Sequence, residues 1–417
     1  MTRRIVLVSL DWLRPKDPRV TLGHASLHAR LAADPGVDVV PVSYAVNVAG
    51  FDRRALLADV LRAASSGADI AVGVYIWNEG VVQWLLPALR QAGFVGRIIL
   101  GGPQITYAPA GVLAVYPDAD VIIRGYAEDA VATIVQHPEG GAIKGVTGRG
   151  APDSIDPAAT DLLSLPSPIL TGIAPIQPFM RWETQRGCIY SCSFCQHRET
   201  GARLRQRVLA DGRIAAEVDV LVSGGAREIA VLDPIFHTNP AAVDILGRFA
   251  ARGYSGRLSL QSRFESIDDA FLDACSEVQV RLEFGLQTVH RTEMTAVNRM
   301  NNLGAADAVI AKLHARGIAF EVSLIYGLPT QTLASFKESV RWCLDRGVPV
   351  LRAFPLMLLR GTGLDRDRHR WGLVESADAI PVVVESDSFS RVEWEQMGMI
   401  ADGLDGQIPA ALALGAA

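Results

Sequence analysis

Short runs of apolar, β-branched residues alternate with helical segments along the first part of the chain. The segment Glu79–Gln91, for example, repeats its apolar residues at the spacing of one helix face. Strands that alternate with helices in this way indicate a parallel, doubly wound α/β sheet. The predicted strands of this first domain, which spans residues 1–137, are Ile5–Ser9, Val37–Val42, Asp69–Val74, Arg97–Leu100 and Asp120–Ile123.

A second α/β domain follows a stretch of different composition. Residues 138–179 are rich in Gly, Pro, Ser and Asp, which indicates an interdomain linker. Residues 180–360 restart the alternation, which predicts a partial (β/α)6 TIM-like barrel with its active site at the carboxyl ends of the strands. Residues 361–417 predict a small C-terminal cap with a helix near Glu393–Asp402 and a frayed tail at Leu414–Ala417. The predicted barrel strands are Met180–Thr184, Glu228–Leu232, Arg257–Gln261, Val280–Phe284, Ala319–Ile325 and Leu351–Leu356.

The composition supports this organisation and limits the classes of partner that the chain is expected to bind. Hydrophobic residues make up 49% of the 417 residues and charged residues 20%, which suits two domains with buried sheets. A net charge of -5 gives no basic footprint for nucleic acid. The short basic run Arg203–Arg207 is interpreted as a solvated helix face or as a contact to an anionic substrate. No apolar run reaches the roughly 20 residues that span a bilayer, and no signal peptide is visible, so a cytoplasmic protein without a membrane partner is predicted.

Three of the five cysteines stand in one short loop, with the spacing C-x3-C-x2-C at Cys188, Cys192 and Cys195. Three thiolates can hold three corners of a cubane iron–sulfur cluster and leave one iron open to a further ligand. A structural zinc site with His197 as the fourth ligand is the alternative, although no second cysteine knuckle is present in the sequence. A disulfide is disfavoured, because the two remaining cysteines stand alone in helix-like segments and no secretory signal is visible.

With Phe194 before its last cysteine, this loop resembles that of the radical S-adenosylmethionine (SAM) enzymes. In that family SAM chelates the open iron, and an electron from the cluster cleaves a carbon–sulfur bond of SAM. Two strand ends are also similar to the family, since Leu282–Thr288 resembles an E-x-G-x-Q-[ST] stretch and Leu324–Thr330 resembles a G-[LF]-P-[GT] turn. The resemblance implies SAM contacts at Phe194, Asp233, Ser262, Arg263, Glu283, Gln287, Tyr326 and Gly327.

Several of these residues have alternative interpretations that the sequence leaves open. Asp233 is equally well explained as a helix cap before Pro234, and Arg263 nearly as well by a structural salt bridge. The end of the sixth barrel strand departs from the family pattern, because Arg360 stands where a proline is usual. That arginine is interpreted either as a contact to an acidic substrate at the pocket rim or as a plain surface residue.

Three loops of the first domain resemble the cobalamin-binding Rossmann domain found in front of many radical SAM enzymes. The resemblance implies cobalamin contacts at Tyr75, Trp77, Asn78, Gly101, Gly102, Gln104, Gly125, Tyr126 and Glu128. One feature departs from other cobalamin proteins: the D-x-H-x-x-G loop that supplies an axial histidine is absent after the first strand. His24 and His28 stand instead at i and i+4 of a predicted helix, either facing a ligand together or lying as partly buried surface histidines. Cobalamin binding and a domain that has lost the cofactor both stay open.

The resemblance therefore implies a cobalamin-domain radical SAM enzyme that holds a [4Fe–4S] cluster, SAM and cobalamin. The expected reaction is methylation of an unactivated carbon or phosphorus centre in a small molecule of natural-product biosynthesis, with a flavodoxin- or ferredoxin-type electron donor. A second possibility is a radical rearrangement, or transfer of a 3-amino-3-carboxypropyl group to a substrate such as an arsenic compound. A third is a cobalamin- or zinc-binding sensor without enzymatic activity.

Overall fold

The computed structural model describes residues 2–64, 67–137, 142–197 and 206–404. Its contacts divide the chain into two compact units. Within the described residues the first unit holds 2–64, 67–137, 142–181 and 209–225, and the second holds 182–197, 206–208 and 226–404. The predicted frayed tail lies outside the described residues, as does most of the predicted basic run at Arg203–Arg207.

The first unit contains a six-stranded sheet with the strand order β2-β1-β3-β4-β5-β6. Its strands are β1 (Arg3–Asp11), β2 (Val37–Ala45), β3 (Asp69–Gly73), β4 (Ile98–Gly101), β5 (Val121–Ile123) and β6 (Val146–Gly148). Its helices are α1 (Leu22–Ala32), α2 (Arg53–Ala63), α3 (Glu79–Gln91), α4 (Pro103–Thr106), α5 (Val112–Val115) and α6 (Glu128–Gln136). All five predicted strands are present, and β1 to β5 pair in parallel as expected.

Both faces of this sheet are covered, which is what a doubly wound fold requires. Val6 and Val8 of β1 belong to one apolar cluster together with residues of α2 and α3. Ile5 and Leu7 belong to a second cluster on the other face, with residues of α1 and α6. Because β1 is buried from both sides, it reads as a continuous apolar run rather than an alternating one.

The stretch predicted as a linker is folded into the first unit over its described part. Strand β6 pairs antiparallel with β5, and Ala158 forms a bridge with Gly125. Asp153 accepts from the fully buried guanidinium of Arg124 at 2.9 Å. The Gly and Pro residues of this stretch therefore indicate irregular backbone and not a lack of packing. The domain boundaries at 137, 180 and 360 stay a prediction.

The second unit is built on a sheet with the order β14-β13-β12-β11-β10-β7. Neighbouring strands from β10 to β14 are parallel. The sheet has two free ends, so it is the partial barrel that the sequence predicts. Its strands are β7 (Phe179–Trp182), β10 (Glu228–Val231), β11 (Arg257–Ser262), β12 (Val280–Gln287), β13 (Ala319–Tyr326) and β14 (Leu351–Pro355). Two short strand pairs lie outside this sheet: β8 (Gln185–Arg186) with β9 (Arg207–Val208), and β15 (Val374–Glu375) with β16 (Val383–Glu385).

Helices follow most barrel strands. They are α7 (Asp211–Ser223), which the contacts assign to the first unit, then α8 (Ala242–Ala251), α9 (Asp269–Ser276), α10 (Arg291–Ala296), α11 (Leu303–Arg316), α12 (Leu333–Asp345), α13 (Gly363–Arg366) and α14 (Arg391–Gly403). Helix α14 begins at a capping box formed by Ser390 and Glu393 and packs against α12, β13, β14 and β16. It therefore lies on the outer side of the last two barrel strands. No helix in the described ranges combines the length and apolar character needed to cross a membrane.

Removing Asp153 should destabilise the first unit strongly. An Asp153→Ala substitution leaves the guanidinium of Arg124 buried without its carboxylate, and breaking a buried pair costs about 3–5 kcal/mol. The matched control is Asp38→Ala, which breaks the exposed Arg4–Asp38 pair and should cost less than about 1 kcal/mol. Thermal unfolding of both variants checks this, and equal melting temperatures would contradict it.

Candidate functional site

The three loop cysteines lie between β7 and α7, and all three are free thiols. Cys192 is buried, whereas Cys188 and Cys195 are half-buried. Backbone amides point at two of the sulfur atoms: Tyr190 N–H donates to Cys188 Sγ at 3.5 Å and His197 N–H donates to Cys195 Sγ at 3.4 Å. Such N–H···S contacts are the ones that tune metal-bound thiolates.

A segment that follows α10 holds one side of the cysteine loop. Ser193 N–H donates to the carbonyl of Val297 at 2.9 Å, and the Asn298 amide donates to the Ser191 carbonyl at 2.9 Å. Asn298 itself has a φ of 49°, a left-handed conformation that Asn adopts more readily than most residues. The next residue, Arg299, extends its guanidinium to Cys192 Sγ, with Nη1 at 3.5 Å.

A segment after β14 holds the other side. The Leu364 amide donates to the Ser193 carbonyl at 2.7 Å, and Gln196 donates to the carbonyl of Arg360 at 2.8 Å. Gly363 lies against Ser193 so closely that an added Cβ would sit 3.2 Å from the serine Cβ. The loop is therefore fixed from two places that are distant in sequence, although it has almost no regular structure of its own.

Burial and charge act in opposite directions on the thiols. Burial raises the pKa of Cys188, and it raises the pKa of Cys195 to about 11. The nearby guanidinium of Arg299 lowers both values, as does that of Arg263 for Cys188. The three thiols are close enough to affect one another, yet in the described ranges no three His, Cys, Asp or Glu side chains stand in a preformed metal site. The His197 side chain is exposed, so the zinc alternative gains no support from its placement.

Among the buried polar atoms that have no hydrogen-bond partner within the described residues, four lie at the cysteine loop and at the ends of β11 and β12. They are Ser193 Oγ, Ser262 Oγ, Gln287 Oε1 and Arg299 Nε. Buried polar groups are normally paired, so a group of orphaned donors and acceptors indicates a place for a polar ligand. Predicted residues Ser262 and Gln287 are in this group, and the amino-acid part of SAM is a ligand of matching polarity. The residues present therefore fit SAM.

Gln287 is held in a strained position at the end of β12. Its φ is 71°, and the strand bulges between Gly285 and Gln287. A Cβ on Gly285 would lie 2.5 Å from Gln287 Nε2, so this glycine leaves room for the side chain. Arg299 donates to the Gly285 carbonyl and so lies at the same strand end. Strain of this kind in a non-glycine residue is typical of functional sites.

Arg263 is engaged by the protein itself. Its guanidinium lies 3.9 Å from the centre of the Tyr190 ring, and its Nε pairs with Glu265 at 3.0 Å. Its Nη2 donates to the Met300 carbonyl at 3.2 Å. These contacts favour the structural salt bridge over the predicted contact to the SAM carboxylate. Arg263 supports Tyr190, and through it the cysteine loop.

Asp233 is likewise used by the protein, in a way that the sequence did not predict. Its carboxylate accepts from the backbone amides of Thr184 at 2.7 Å and Gln185 at 3.1 Å, and from the Thr184 hydroxyl. Asn239 donates to the same hydroxyl at 2.8 Å. Asp233 therefore ties the end of β10 to the start of the cysteine loop, and neither the helix-cap nor the ammonium-acceptor interpretation describes its contacts.

Glu283 lies on the side of β12 that faces the barrel interior. Its strand partner is Glu321, directly opposite in the register, and Gln261 donates to it. Burial raises the pKa of Glu283, and the like charge of Glu321 adds to that rise. Arg281 and Arg352 approach Glu321 at 3.8 and 3.6 Å. Mixed charges thus surround Glu283 on β12, β13 and β14. Leu232, after β10, and Phe354, in β14, are exposed apolar residues.

The turn after β13 is held by Gln331. This fully buried side chain accepts from the amide of Gly327 at 2.7 Å and donates to the Ile325 carbonyl at 3.1 Å. Tyr326 is buried and packs against Trp394 and against a helix phenylalanine. Gly327 has a φ of 90°, and an added Cβ would meet the Val383 carbonyl at 3.3 Å, so glycine is needed here for packing. Phe194, the remaining predicted SAM residue, is half-buried.

In the first unit, the predicted cobalamin residues follow the carboxyl ends of β3, β4 and β5. The Tyr75 and Trp77 rings stack at 4.5 Å, and Trp77 Nε1 donates to the Leu10 carbonyl at 3.1 Å. Asn78 is buried: its amide donates to the carbonyls of Leu10 and Gly73 and its oxygen accepts from the Tyr75 amide. Asn78 thus shapes the loop, and Tyr75 and Trp77 beside it are half-buried.

The other predicted cobalamin residues are also largely used by the protein. Gly102 and Gly125 have φ values of 90° and 83°, and a Cβ on either would collide with backbone, at 2.7 Å from Val74 O and 2.5 Å from Ala158 O. Gln104 donates to Glu79 at 2.7 Å, while Glu128 accepts from Ser26 and Thr160. Gly101 has only the Ile123 carbonyl near its Cβ position, at 3.7 Å, and Tyr126 is half-buried. The cobalamin roles of all these residues stay predictions.

The two histidines of α1 differ in environment. His24 is buried and its Nε2 has no partner in the described part of the chain, and burial lowers its pKa to about 4. His28 is half-buried and its pKa is lowered by burial. His24 is therefore buried as a neutral imidazole and not partly buried at the surface, whereas His28 has the partly buried position that the sequence predicts.

Several residues at the site were not predicted from the sequence. Arg299, Asn298 and Gln331 lie in loops without a strand-end pattern, and Tyr190 stands inside the cysteine loop without a motif of its own. The polar run Val297–Asn302 between two helices was the available signal for the first two. Gln331 offered none, because its role depends on which backbone amides come within its reach.

The ionisation of Asp233 should make stability depend on pH. Burial raises the pKa of Asp233 from 3.8 to about 7. Its contribution is therefore fully present below pH 4 and is lost as the pH rises toward 7, by at most about 1.4 kcal/mol per pH unit. The melting temperature of the metal-free protein should fall over this range relative to an Asp233→Asn variant, which cannot ionise there.

The control for that comparison is Asp269→Asn. Hydrogen bonding by Lys312 lowers the pKa of Asp269, so its titration lies below the tested window and the variant should follow the parent protein's profile. Parallel profiles for the parent protein and Asp233→Asn would show that Asp233 does not titrate between pH 4 and 7.

Comparison with known proteins agrees with this site. Residues 182–343 match the model of the Radical SAM superfamily. The cobalamin-dependent radical SAM methyltransferase TokK of Streptomyces tokunonensis is 24% identical over 374 residues, which cover 78% of this chain and 54% of TokK. The chain therefore spans about half the length of this curated relative.

Two solved structures share the fold over nearly all of the chain. The methyltransferase TsrM from Kitasatospora setae, with tryptophan and a SAM analog bound, matches with a TM-score of 0.77 and 15% identity, over 98% of this chain and 90% of TsrM. The enzyme OxsB, with aqua-cobalamin and SAM bound, matches with a TM-score of 0.73 and 14% identity, over 95% of this chain and 66% of OxsB. The chain therefore contains a radical SAM domain and has the fold of the cobalamin-dependent members of that superfamily, as its sequence predicts.

Proposed function

We propose that this chain is a cobalamin-dependent radical SAM enzyme that methylates an unactivated centre of a small molecule. The observation that carries the proposal is the arrangement at the cysteine loop. Three thiols are fixed there by two distant segments, beside four buried polar atoms that lack partners in the described residues. A ligand-free protein gains nothing from such a cluster, because each orphaned group costs desolvation energy.

Cys188, Cys192 and Cys195 would hold a [4Fe–4S] cluster, with its fourth iron left for SAM. The amides of Tyr190 and His197 and the guanidinium of Arg299 would donate to the three sulfur ligands. Positive charge and N–H donors beside thiolates stabilise the anionic form and offset the burial that raises the pKa of two of these thiols. The amides of the cysteine loop and the neighbouring guanidinium of Arg299 would thus compensate the negative charge of the thiolates.

Arg299 is the residue best placed to receive the carboxylate of SAM. Its side chain is buried, its Nε has no partner within the described ranges, and it lies beside both Cys192 and the end of β12. Ser262 and Gln287 would supply further polar contacts, and Glu283 would face the ribose or the substrate. When bound, the cluster and SAM would supply the reducing electron and the carbon radical. The protein's part is to orient SAM and exclude water.

Cobalamin binding is supported by the relatives and by two features of the first unit. TokK is named as cobalamin-dependent, and OxsB was solved with aqua-cobalamin. In this chain the stacked rings of Tyr75 and Trp77 and the open backbone at Gly101 lie at carboxyl strand ends, where doubly wound sheets bind ligands. The cofactor would supply the methyl group.

The barrel interior favours a small substrate with both polar and apolar parts. Charged side chains of β12, β13 and β14 surround Glu283, and Leu232 and Phe354 are exposed apolar residues of the same sheet's strand ends. TsrM was solved with tryptophan, a molecule of that kind. A low-potential electron-transfer protein would be the electron donor. We place the enzyme in the cytoplasm, because an oxygen-sensitive cluster needs a reducing compartment.

Loss of Cys192 should abolish the cluster and the chemistry together. After anaerobic reconstitution, the parent protein should hold about four irons and cleave SAM when reduced by dithionite. Cys192→Ala should lose most of that iron and all SAM cleavage. Cys275→Ala removes a buried cysteine on α9, away from the cluster loop, and should keep both, so it is the control. Full iron content in Cys192→Ala would overturn the cluster assignment.

The products of SAM identify the reaction class. Methylation should give S-adenosylhomocysteine together with 5′-deoxyadenosine. A rearrangement should give only 5′-deoxyadenosine, and transfer of a 3-amino-3-carboxypropyl group should give 5′-methylthioadenosine. Chromatography of the quenched reaction separates these nucleosides, and the absence of S-adenosylhomocysteine would exclude the methyltransferase assignment.

Arg299→Gln should weaken SAM binding. Loss of a charged hydrogen-bonded pair costs about 1.5–3 kcal/mol, which corresponds to a rise of roughly 10- to 100-fold in the Kd for SAM. Equilibrium dialysis with labelled SAM measures this on the reconstituted protein. Arg291→Gln changes an exposed arginine on α10 and should leave the Kd unchanged. An unchanged Kd in Arg299→Gln would assign the carboxylate to another residue.

A further inference from the structure

The segment from Arg360 to Arg370, called here the basic segment, differs in charge from the rest of the chain. It contains four arginines, one histidine and two aspartates, whereas the whole chain has a net charge of -5. A local excess of positive charge on an acidic protein produces a surface potential that attracts acidic partners.

The basic segment is bonded directly to the cysteine loop. The Leu364 amide donates to the Ser193 carbonyl at 2.7 Å, Gly363 touches Ser193, and the Arg360 carbonyl accepts from Gln196 at 2.8 Å. Ser193 stands between two of the cysteines that would hold the cluster. A protein docked on this segment would therefore be separated from the cluster ligands only by the backbone of the segment itself.

Two acidic residues at the segment, Asp365 and Glu375, are used by Arg368 and by the backbone, whereas Asp367 is exposed. Arg368 pairs with Glu375 and approaches Asp365 at 3.6 Å. Asp365 also accepts from the Gly361 amide at 2.9 Å, and Thr362 caps the short helix α13. These contacts fix the backbone of the segment and remove two carboxylates from its outer surface.

Arg366 and Arg370 remain exposed and make no ion pair within the described residues. Arg366 is held by the Gly361 carbonyl at 2.7 Å, and the Arg370 guanidinium lies 4.6 Å from the centre of the Trp371 ring. Both side chains are thus preorganised, which lowers the entropy lost when they bind a partner. Arginine and tryptophan are also the residues that contribute most to binding at protein interfaces.

We propose that the basic segment is the docking surface for a small acidic electron-transfer protein that reduces the cluster. The inference rests on the proposed function, because it needs a cluster at the three cysteines. In the step itself one electron leaves the reduced partner, which is oxidised by one electron, and the cluster gains that electron. No atom or proton is transferred, and the charge complementarity between arginines and partner carboxylates holds the pair together.

Direct binding provides the first test. An acidic flavodoxin serves as the probe, and its Kd for the reconstituted protein is measured by calorimetry at low salt. Arg366→Glu combined with Arg370→Glu should raise this Kd on the order of tenfold or more, and high salt should remove the difference because it screens the charges. Arg54→Glu combined with Arg391→Glu changes the total charge equally at exposed positions outside the segment and should have little effect. An unchanged Kd in the first variant would overturn the proposal.

Reduction kinetics provide the second test and separate docking from chemistry. With reduced flavodoxin as donor, the Arg366/Arg370 variant should cleave SAM on the order of tenfold more slowly at low salt. With dithionite and methyl viologen, it should match the parent protein. An equal loss with both reductants would assign these arginines to the fold or the substrate and refute the docking role. A parent protein that binds flavodoxin but cleaves no SAM with dithionite would instead refute the proposed function.

Discussion

Three sulfur atoms have to be held in place by a loop that lacks regular secondary structure. Backbone amides of helices and strands satisfy one another, but those of such a loop need partners from elsewhere. Here the partners are the carbonyl of Val297, the side chain of Asn298 and the amide of Leu364. Asp233 holds the start of the loop by accepting from two of its amides. The barrel strands matter to the site because they bring these groups to one end.

Polar side chains of both units divide into those that build loops and those that are left for a ligand. Asn78, Gln104 and Asp233 make several bonds within the protein and so give their loops a definite shape. Ser262 and Gln287 are buried at strand ends with atoms that the described residues do not satisfy. Whether the protein itself satisfies a buried polar side chain, and not the residue type, therefore separates the residues that support loops from those that can contact a ligand.

The architecture follows well from the sequence, because periodicity and burial report directly on parallel sheets. All five predicted strands of the first sheet and all six of the barrel are present, with ends that differ from the predicted ones by at most three residues. The cysteine loop was evident because its spacing is itself the chemical signal. Gln331 could not be predicted, since its role arises from contacts that only the folded turn creates, and Arg299 had no signal beyond the polar run between two helices. The folding of residues 142–179 was missed because irregular backbone resembles a linker in composition.

The way the cysteine loop is fastened has a consequence for the biogenesis of the protein. Ser191 of the loop accepts from Asn298, 107 residues further along the chain. Gln196 donates to the carbonyl of Arg360, 164 residues further along. Contacts of such separation form late, since the intervening chain must first be ordered. A nascent chain that has passed the three cysteines therefore cannot yet present them in their final positions. Iron delivery during synthesis would meet an unformed loop, so maturation belongs after the last strand of the partial barrel has joined the sheet.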